Sequence, residues 1–185
     1  MYDISGFQNH GKIIGTFETT KQTKRYSNTV KFNGTDACIV VPYNTACPHN
    51  IFTLNLWFNK DALGTKTYET LFGGPSGFEM DTRSGSSTTL TLYMASTRGG
   101  SLWSSFSLNN WYMVTMVRDG TNEYYYINGE LVNTIAAKSM PTGTYFIGAW
   151  KTAVQQNYYG LIADFRLYTT ALDAAAIQDL YKMGV

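Results

Sequence analysis

Hydrophobic and polar residues alternate along most of this chain, and the alternation predicts strands. In Phe52-Thr53-Leu54-Asn55-Leu56-Trp57-Phe58 the period is two, so Phe52, Leu54, Leu56 and Phe58 share one face. Leu90-Thr91-Leu92-Tyr93-Met94 repeats the pattern. Trp111 to Val117 is apolar on both faces, as a central strand covered on both sides requires. Val30-Lys31-Phe32 and Ile39-Val40-Val41 flank the turn signal Asn33-Gly34. Tyr124-Tyr125-Tyr126-Ile127 meets Glu130-Leu131-Val132 across Asn128-Gly129. Asn-Gly tolerates positive φ at both central positions, so a type I′ hairpin is expected there. Tyr145-Phe146-Ile147-Gly148 and Leu161 to Tyr168 supply two more strands.

The pattern changes once, at the C-terminus. Asp173 can cap the helix formers Ala174 to Tyr181, with Gly184 closing the segment. Ile177, Leu180 and Tyr181 form an i, i+3, i+4 apolar stripe able to dock on a sheet. Many short strands and one terminal helix predict an all-β fold, an antiparallel two-sheet jelly-roll β-sandwich with a short C-terminal helix near 174–182.

Composition narrows the function. The length, 185 residues without an internal repeat, suits one domain with a sizeable core. Charged residues are 15% of the chain, against about 25% in a typical soluble protein. Aromatic residues are also 15%, more than such a core needs. A net charge of +1 provides no field for nucleic acid or anionic lipid. Apolar runs such as Cys38 to Val41 are too short for membrane insertion, and the opening MYDISGFQNHG lacks the pattern of a signal peptide.

Little in the chain suggests catalysis or metal binding. Cys38 and Cys47 are read as free thiols or a single disulfide, and their spacing does not suit zinc. His10 and His49 sit in polar loop sequence. Glu79-Met80-Asp81 places two carboxylates on one strand face, but no third acid follows in Thr82-Arg83-Ser84-Gly85. A solvated acidic face is expected there, and no enzyme activity.

The order of motifs resembles concanavalin A-like (laminin-G-like) jelly-roll domains. The resemblance runs from Asp3-Ile4-Ser5-Gly6-Phe7-Gln8-Asn9-His10-Gly11 and Val30-Lys31-Phe32-Asn33-Gly34, through the strands at Phe52 and Trp111 and the Tyr126–Val132 hairpin, to Gly160–Tyr168 and the helix ending near Tyr181. Family members usually carry a strand before the Asp-x-Ser-Gly turn. The resemblance therefore implies that residues 1–185 are one domain of a longer polypeptide. Some relatives hold calcium between that turn and an acidic pair in the closing strand, where this chain has Ala163-Asp164. With one carboxylate missing, neither metal nor other cofactor is expected, and Asp3, Ser5 and Asn9 are read as an Asx-type turn.

The resemblance also implies function. Some relatives hydrolyse glucans, which the incomplete acidic motif argues against. Others are appendages of phage tails, capsid fibres and bacterial surface proteins, and Asp3 to Asn33 resembles the phage and prophage versions. The implied role is non-catalytic carbohydrate binding or receptor recognition on a virion or cell surface. The partners would be a cell-surface glycan and other virion or surface-protein subunits. Decoration or assembly of a virion without glycan binding is the alternative. Sugars need exposed rings with polar partners. The candidate contacts are Trp150, Asn157, Tyr158 and Tyr159 around the polar segment Lys151 to Asn157, and Trp103 in the Ser-rich stretch Ser101 to Ser105, read as a loop. Trp57 and Trp111, inside apolar strands, are read as core.

Overall fold

In the computed structural model, the alternation around Phe52 becomes strand β5 (Ile51–Asn59), buried at every position after Ile51. The structure describes residues 4, 8–20, 29–42, 50–63, 66–74, 78–84, 90–94, 100–138, 142–152 and 155–184. Cys47, His49, Asp3 and Ser5 lie outside them. So do the side chains of residues 90–94 and 100–105, where only the backbone is described.

Among the described residues, two antiparallel seven-stranded sheets face each other, as the jelly-roll expectation requires. One has the order β1 (Lys12–Ile14), β4 (Cys38–Val41), β13 (Tyr145–Ile147), β6 (Tyr68–Gly73), β7 (Glu79–Ser84), β8 (Leu90–Met94), β9 (Gly100–Phe106). The other runs β12 (Glu130–Ala136), β11 (Asn122–Ile127), β10 (Trp111–Asp119), β5, β14 (Tyr159–Tyr168), β3 (Thr29–Asn33), β2 (Glu18–Thr20). Asn33-Gly34 is thus an arch between sheets rather than a hairpin. Its shape is held by Asn33 Oδ1, which accepts the backbone N–H groups of Thr35, Asp36 and Ala37.

The period-two face of β5 builds the main core. Phe52, Leu54, Leu56 and Phe58 join Leu71, Met80, Tyr145 and Ile147 of the opposite sheet. The other face of β5 carries a second core. Trp57 packs there with Met113, Val117 and Ala163 under Ile177 and Leu180 of helix α1 (Ala174–Gly184). Tyr181 stacks on Trp57 with centroids 5.7 Å apart, and Trp111 is half-buried at the same cluster. Asp173 Oδ1 caps the helix by accepting the Ala176 N–H at 2.8 Å.

The hairpin turn has the expected geometry. Asn128 and Gly129 have φ of 52° and 84°, as type I′ requires. A Cβ on Gly129 would lie 2.8 Å from Gln178 Nε2 of the helix. Gly129→Val should therefore destabilise the domain by about 1 kcal/mol or more, through backbone strain and this clash. An unchanged urea midpoint would count against it.

One strand departs from the sequence expectation. Ser101 to Ser105, expected as a loop, belongs to β9, where Trp103 pairs with Leu92 of β8. Its small polar residues carry no strand signature, and the backbone ladder with β8 supplies the structure instead.

Candidate functional site

The chain between β13 and β14 sits where the two sheets are joined, and it scatters the expected ligand contacts. Tyr158 corrects the expectation outright. Its side chain is 0% exposed in the main core, its ring 6.3 Å from that of Phe32, and its hydroxyl donates to the Asn59 carbonyl at 3.0 Å. Burying a phenol with its hydroxyl satisfied is ordinary core behaviour. Asn157 is also fully buried; its Oδ1 accepts from Lys66 Nζ at 3.2 Å, and its amide donates to the Ala37 carbonyl at 3.5 Å. Tyr159 is half-buried on β14, packed over Gly34 of the arch. Trp150 lies elsewhere, its backbone over Gly73 of β6. These rings therefore do not form one aromatic wall.

Trp150 is placed by a glycine. A Cβ on Gly73 of β6 would lie 2.7 Å from the Ala149 carbonyl and 2.8 Å from the Trp150 Cα, so the loop backbone rests directly on the strand. Glycine within a strand signals such a close approach. The far end of the loop is tied down by Thr70, whose N–H donates to the Gln156 carbonyl at 2.8 Å and whose Oγ1 lies 3.0 Å from Gln156 Oε1.

This loop changes the environment of the acidic strand. Gly73 pairs with Glu79, Thr70 with Asp81 and Tyr68 with Arg83, so Glu79, Asp81 and Arg83 form a row on the outer face. The row is not the solvated face expected from its composition. Asp81 is 0% exposed and is held bidentately by Arg83, Nε to Oδ1 at 2.9 Å and Nη2 to Oδ2 at 3.2 Å. Arg83 in turn lies 4.6 Å over the Tyr68 ring. Burial raises the Asp81 pKa, and Arg83 opposes the rise. Glu79 is half-buried, and its pKa is pushed up to about 7, first by burial and then by the Asp81 charge, with Arg83 and Lys151 opposing.

Two polar atoms here are buried without a partner, Glu79 Oε2 and Trp150 Nε1. Lys151 connects their surroundings. Its Nζ lies 4.0 Å from the centre of the Trp150 ring, and its charge acts on Glu79. The sequence pattern marks Glu79 only as part of a solvated acidic pair and does not point to Arg83 or Lys151 as ligand contacts. The signal that could have found them was Gly73, which marks where another segment must cross the sheet.

Among the described residues no group of three His, Cys, Asp or Glu is placed to hold a metal ion. Asp164, one of the two calcium positions implied by resemblance, is paired with Arg166 at 2.6 Å and 2.8 Å. Cys38 is buried, which raises its thiol pKa. No helix of the structure is long and apolar enough to cross a membrane.

Comparison with known proteins agrees with the architecture. A family model described as the concanavalin A-like lectin/glucanases superfamily matches residues 33–178. No curated protein matches by sequence. Among solved structures, the receptor-binding domain of botulinum neurotoxin C/D mosaic serotype superposes with a TM-score of 0.72 at 18% identity, over 98% of this chain and 48% of that one. The binding domain of botulinum neurotoxin DC in complex with SialylT gives 0.71 at 18%, with the same coverage. Domain 4 of an extracellular arabinanase from Geobacillus stearothermophilus, in complex with arabinotriose, gives 0.65 at 19%, over 95% of this chain and 84% of that one. The chain spans about half the length of the toxin chains it matches. At these identities the likeness is one of fold.

Proposed function

Since the chain belongs to the concanavalin A-like lectin/glucanase superfamily, we propose that it is a non-catalytic domain recognising neutral carbohydrate, with the sugar held at the Trp150 loop. The observation that carries this reading is the half-buried Trp150, whose backbone rests on Gly73, the strand partner of Glu79 in its row with Asp81 and Arg83. A sugar offers apolar C–H faces to a ring and hydroxyl edges to carboxylate, amide and guanidinium groups. The solved arabinanase domain holding arabinotriose, a neutral oligosaccharide, supports the same class of ligand.

The acidic row supports binding over hydrolysis. A retaining or inverting glycosidase needs two carboxyls free to act on either side of the scissile bond. Asp81 is committed to Arg83, which leaves Glu79 alone. In our reading the domain is an appendage of a phage virion or a cell-surface protein, part of a longer polypeptide. The resemblance of Asp3 to Asn33 to phage and prophage domains favours the virion.

A second reading, assembly with other subunits, draws on edge strand β12. Leu131 is 53% exposed and Val132 37% exposed there, apolar side chains on a strand with one unpaired edge. A glycan array on the isolated domain separates the two. We expect neutral oligosaccharides to bind with little dependence on salt. Trp150→Ala should weaken binding by about 1–3 kcal/mol while leaving the melting temperature within a few degrees. If the array is blank and the domain instead oligomerises through β12, the assembly reading replaces this one. If Trp150→Ala unfolds the domain, Trp150 is a structural ring and the sugar site lies elsewhere.

A further inference from the structure

The Trp150 region holds a pair of buried polar atoms that the fold itself does not use. Glu79 Oε2 and Trp150 Nε1 have no hydrogen-bond partner, although buried polar groups are nearly always paired. They come from different elements, strand β7 and the loop that crosses Gly73. One is an acceptor and the other a donor. A sugar hydroxyl is both, so a ligand bearing adjacent hydroxyls can satisfy each of them.

We propose that Glu79 and Trp150 form one subsite for a neutral, hydroxyl-rich ligand, and that Lys151 is the displaceable cover over it. This rests on the carbohydrate-binding reading and assigns its specificity-determining residue. Lys151 is exposed, and its ammonium lies 4.0 Å from the centre of the indole ring. A cation over a ring at an exposed site is held weakly, and a lysine regains rotamer freedom when released. Swinging Lys151 away opens the ring face and takes a positive charge from the surroundings of Glu79.

The charges around the subsite favour a neutral ligand. Asp81 is neutralised by Arg83, whose guanidinium rests on Tyr68. On the loop side Lys151 balances an ionised Glu79. Gly73, opposite Glu79 on β6, contributes no side chain. With Glu79 ionised the four charged groups cancel.

The ionised carboxylate is the stronger acceptor for hydroxyl groups. Glu79 titrates near pH 7, because burial and Asp81 both disfavour its charge. Binding through the carboxylate must therefore strengthen as pH rises through that value. Between about pH 6 and pH 8 the competent fraction goes from about a tenth to about nine-tenths, so affinity should rise about tenfold.

The test titrates the intact domain with arabinotriose and with cellotriose, neutral trisaccharides of a pentose and a hexose, by calorimetry from pH 5.5 to 9. We expect wild-type affinity for at least one of them to rise about tenfold across pH 7. Glu79→Gln should weaken binding at pH 8 about tenfold or more and flatten the pH profile. Its melting temperature at pH 8 should equal or exceed that of wild type, since a buried charge has gone. That distinguishes a lost contact from a lost fold. At pH 9, where ionisation is complete, Lys151→Ala should bind at least as tightly as wild type. Wild-type binding that is flat with pH, or a Glu79→Gln profile matching wild type, overturns the subsite while leaving carbohydrate recognition standing. Loss of binding in Lys151→Ala turns the cover into a contact and overturns it too. If neither trisaccharide binds and the glycan array is also blank, the recognition reading fails and takes this inference with it.

Discussion

Glu69→Ala should lower the unfolding free energy by about 3–5 kcal/mol, the cost of leaving a buried charge without its partner. Lys60 and Glu69 have side chains only 1% and 3% exposed, and the ammonium donates directly to Glu69 Oε2. The same oxygen accepts the Tyr159 N–H at 3.0 Å, and Lys60 also reaches the Tyr159 carbonyl at 3.5 Å. Burial lowers the Lys60 pKa, and Glu69 is the chief opposing influence. Removing Glu69 lowers that pKa further, so the unfolded chain binds a proton that the folded variant resists. Stability of Glu69→Ala should therefore rise with pH towards the ordinary lysine range, and its deficit should narrow. Guanidinium denaturation between pH 6 and 10 measures both effects. A midpoint equal to wild type, or a deficit that widens with pH, would refute the account. The double variant Lys60→Met, Glu69→Leu should recover part of the loss, because it removes the lone buried charge while leaving the Tyr159 N–H without its Glu69 acceptor.

Trp57→Ala should cost about 3–5 kcal/mol, the range for emptying a large aromatic site. Trp57 is 3% exposed, and its loss removes the floor under helix α1. Tyr181 would lose its stacking partner, and Gly184 would lose the ring whose Cζ2 lies 2.4 Å from where a Cβ would stand. Ile177 and Leu180 keep their contacts with Met113, Val117 and Ala163, and the approach to the helix is tied to β5. Thr53 accepts the Leu172 N–H at 2.9 Å and donates to the Thr170 carbonyl at 2.8 Å, holding the chain just before the helix. Hydrogen exchange should show residues 174–184 losing protection more than β5 or β10. Uniform loss across both sheets would mean that the helix and the sandwich unfold as one unit. Unchanged protection would show that the ring carries little of the docking.

Much of the fold was legible in local pattern. Period two at Phe52 to Phe58 put four rings and aliphatic chains on one face, and those residues do build the core between the sheets. Asn128-Gly129 specified its turn because few other pairs accept positive φ twice. The apolar stripe of Ile177 and Leu180 matched the second face of β5, which explains why a strand with Trp57 between Leu56 and Phe58 is buried on both sides. Family resemblance pointed to the same architecture, and the family model agrees with it over residues 33–178.

The candidate site was far less legible. The sequence places Trp150, Tyr158 and Tyr159 within ten residues, and proximity along the chain suggested one surface. In the folded domain the chain turns between two sheets at that point, which buries Tyr158 beside Phe32 and leaves Trp150 on Gly73. Glu79 and Asp81 looked like a solvated pair because charged residues usually are. A loop distant in sequence rests on Gly73 beside Glu79 and sets the Lys151 charge where it acts on that carboxyl, and Asp81 is buried against Arg83.

What the sequence determined by itself was the set of local conformations: strands, the Asn-Gly turn, the capped helix and the faces each must bury. Backbone sterics and hydrophobic periodicity act over a few residues, so they can be read in order along the chain. Only the tertiary structure decided which polar groups lost their water. Burial of Lys60, Glu69, Arg118, Glu123 and Asp81 depends on what crosses them from elsewhere in the chain. The electrostatics of the site follow from that crossing, because a carboxyl titrates according to its solvent and its neighbours rather than its place in the sequence.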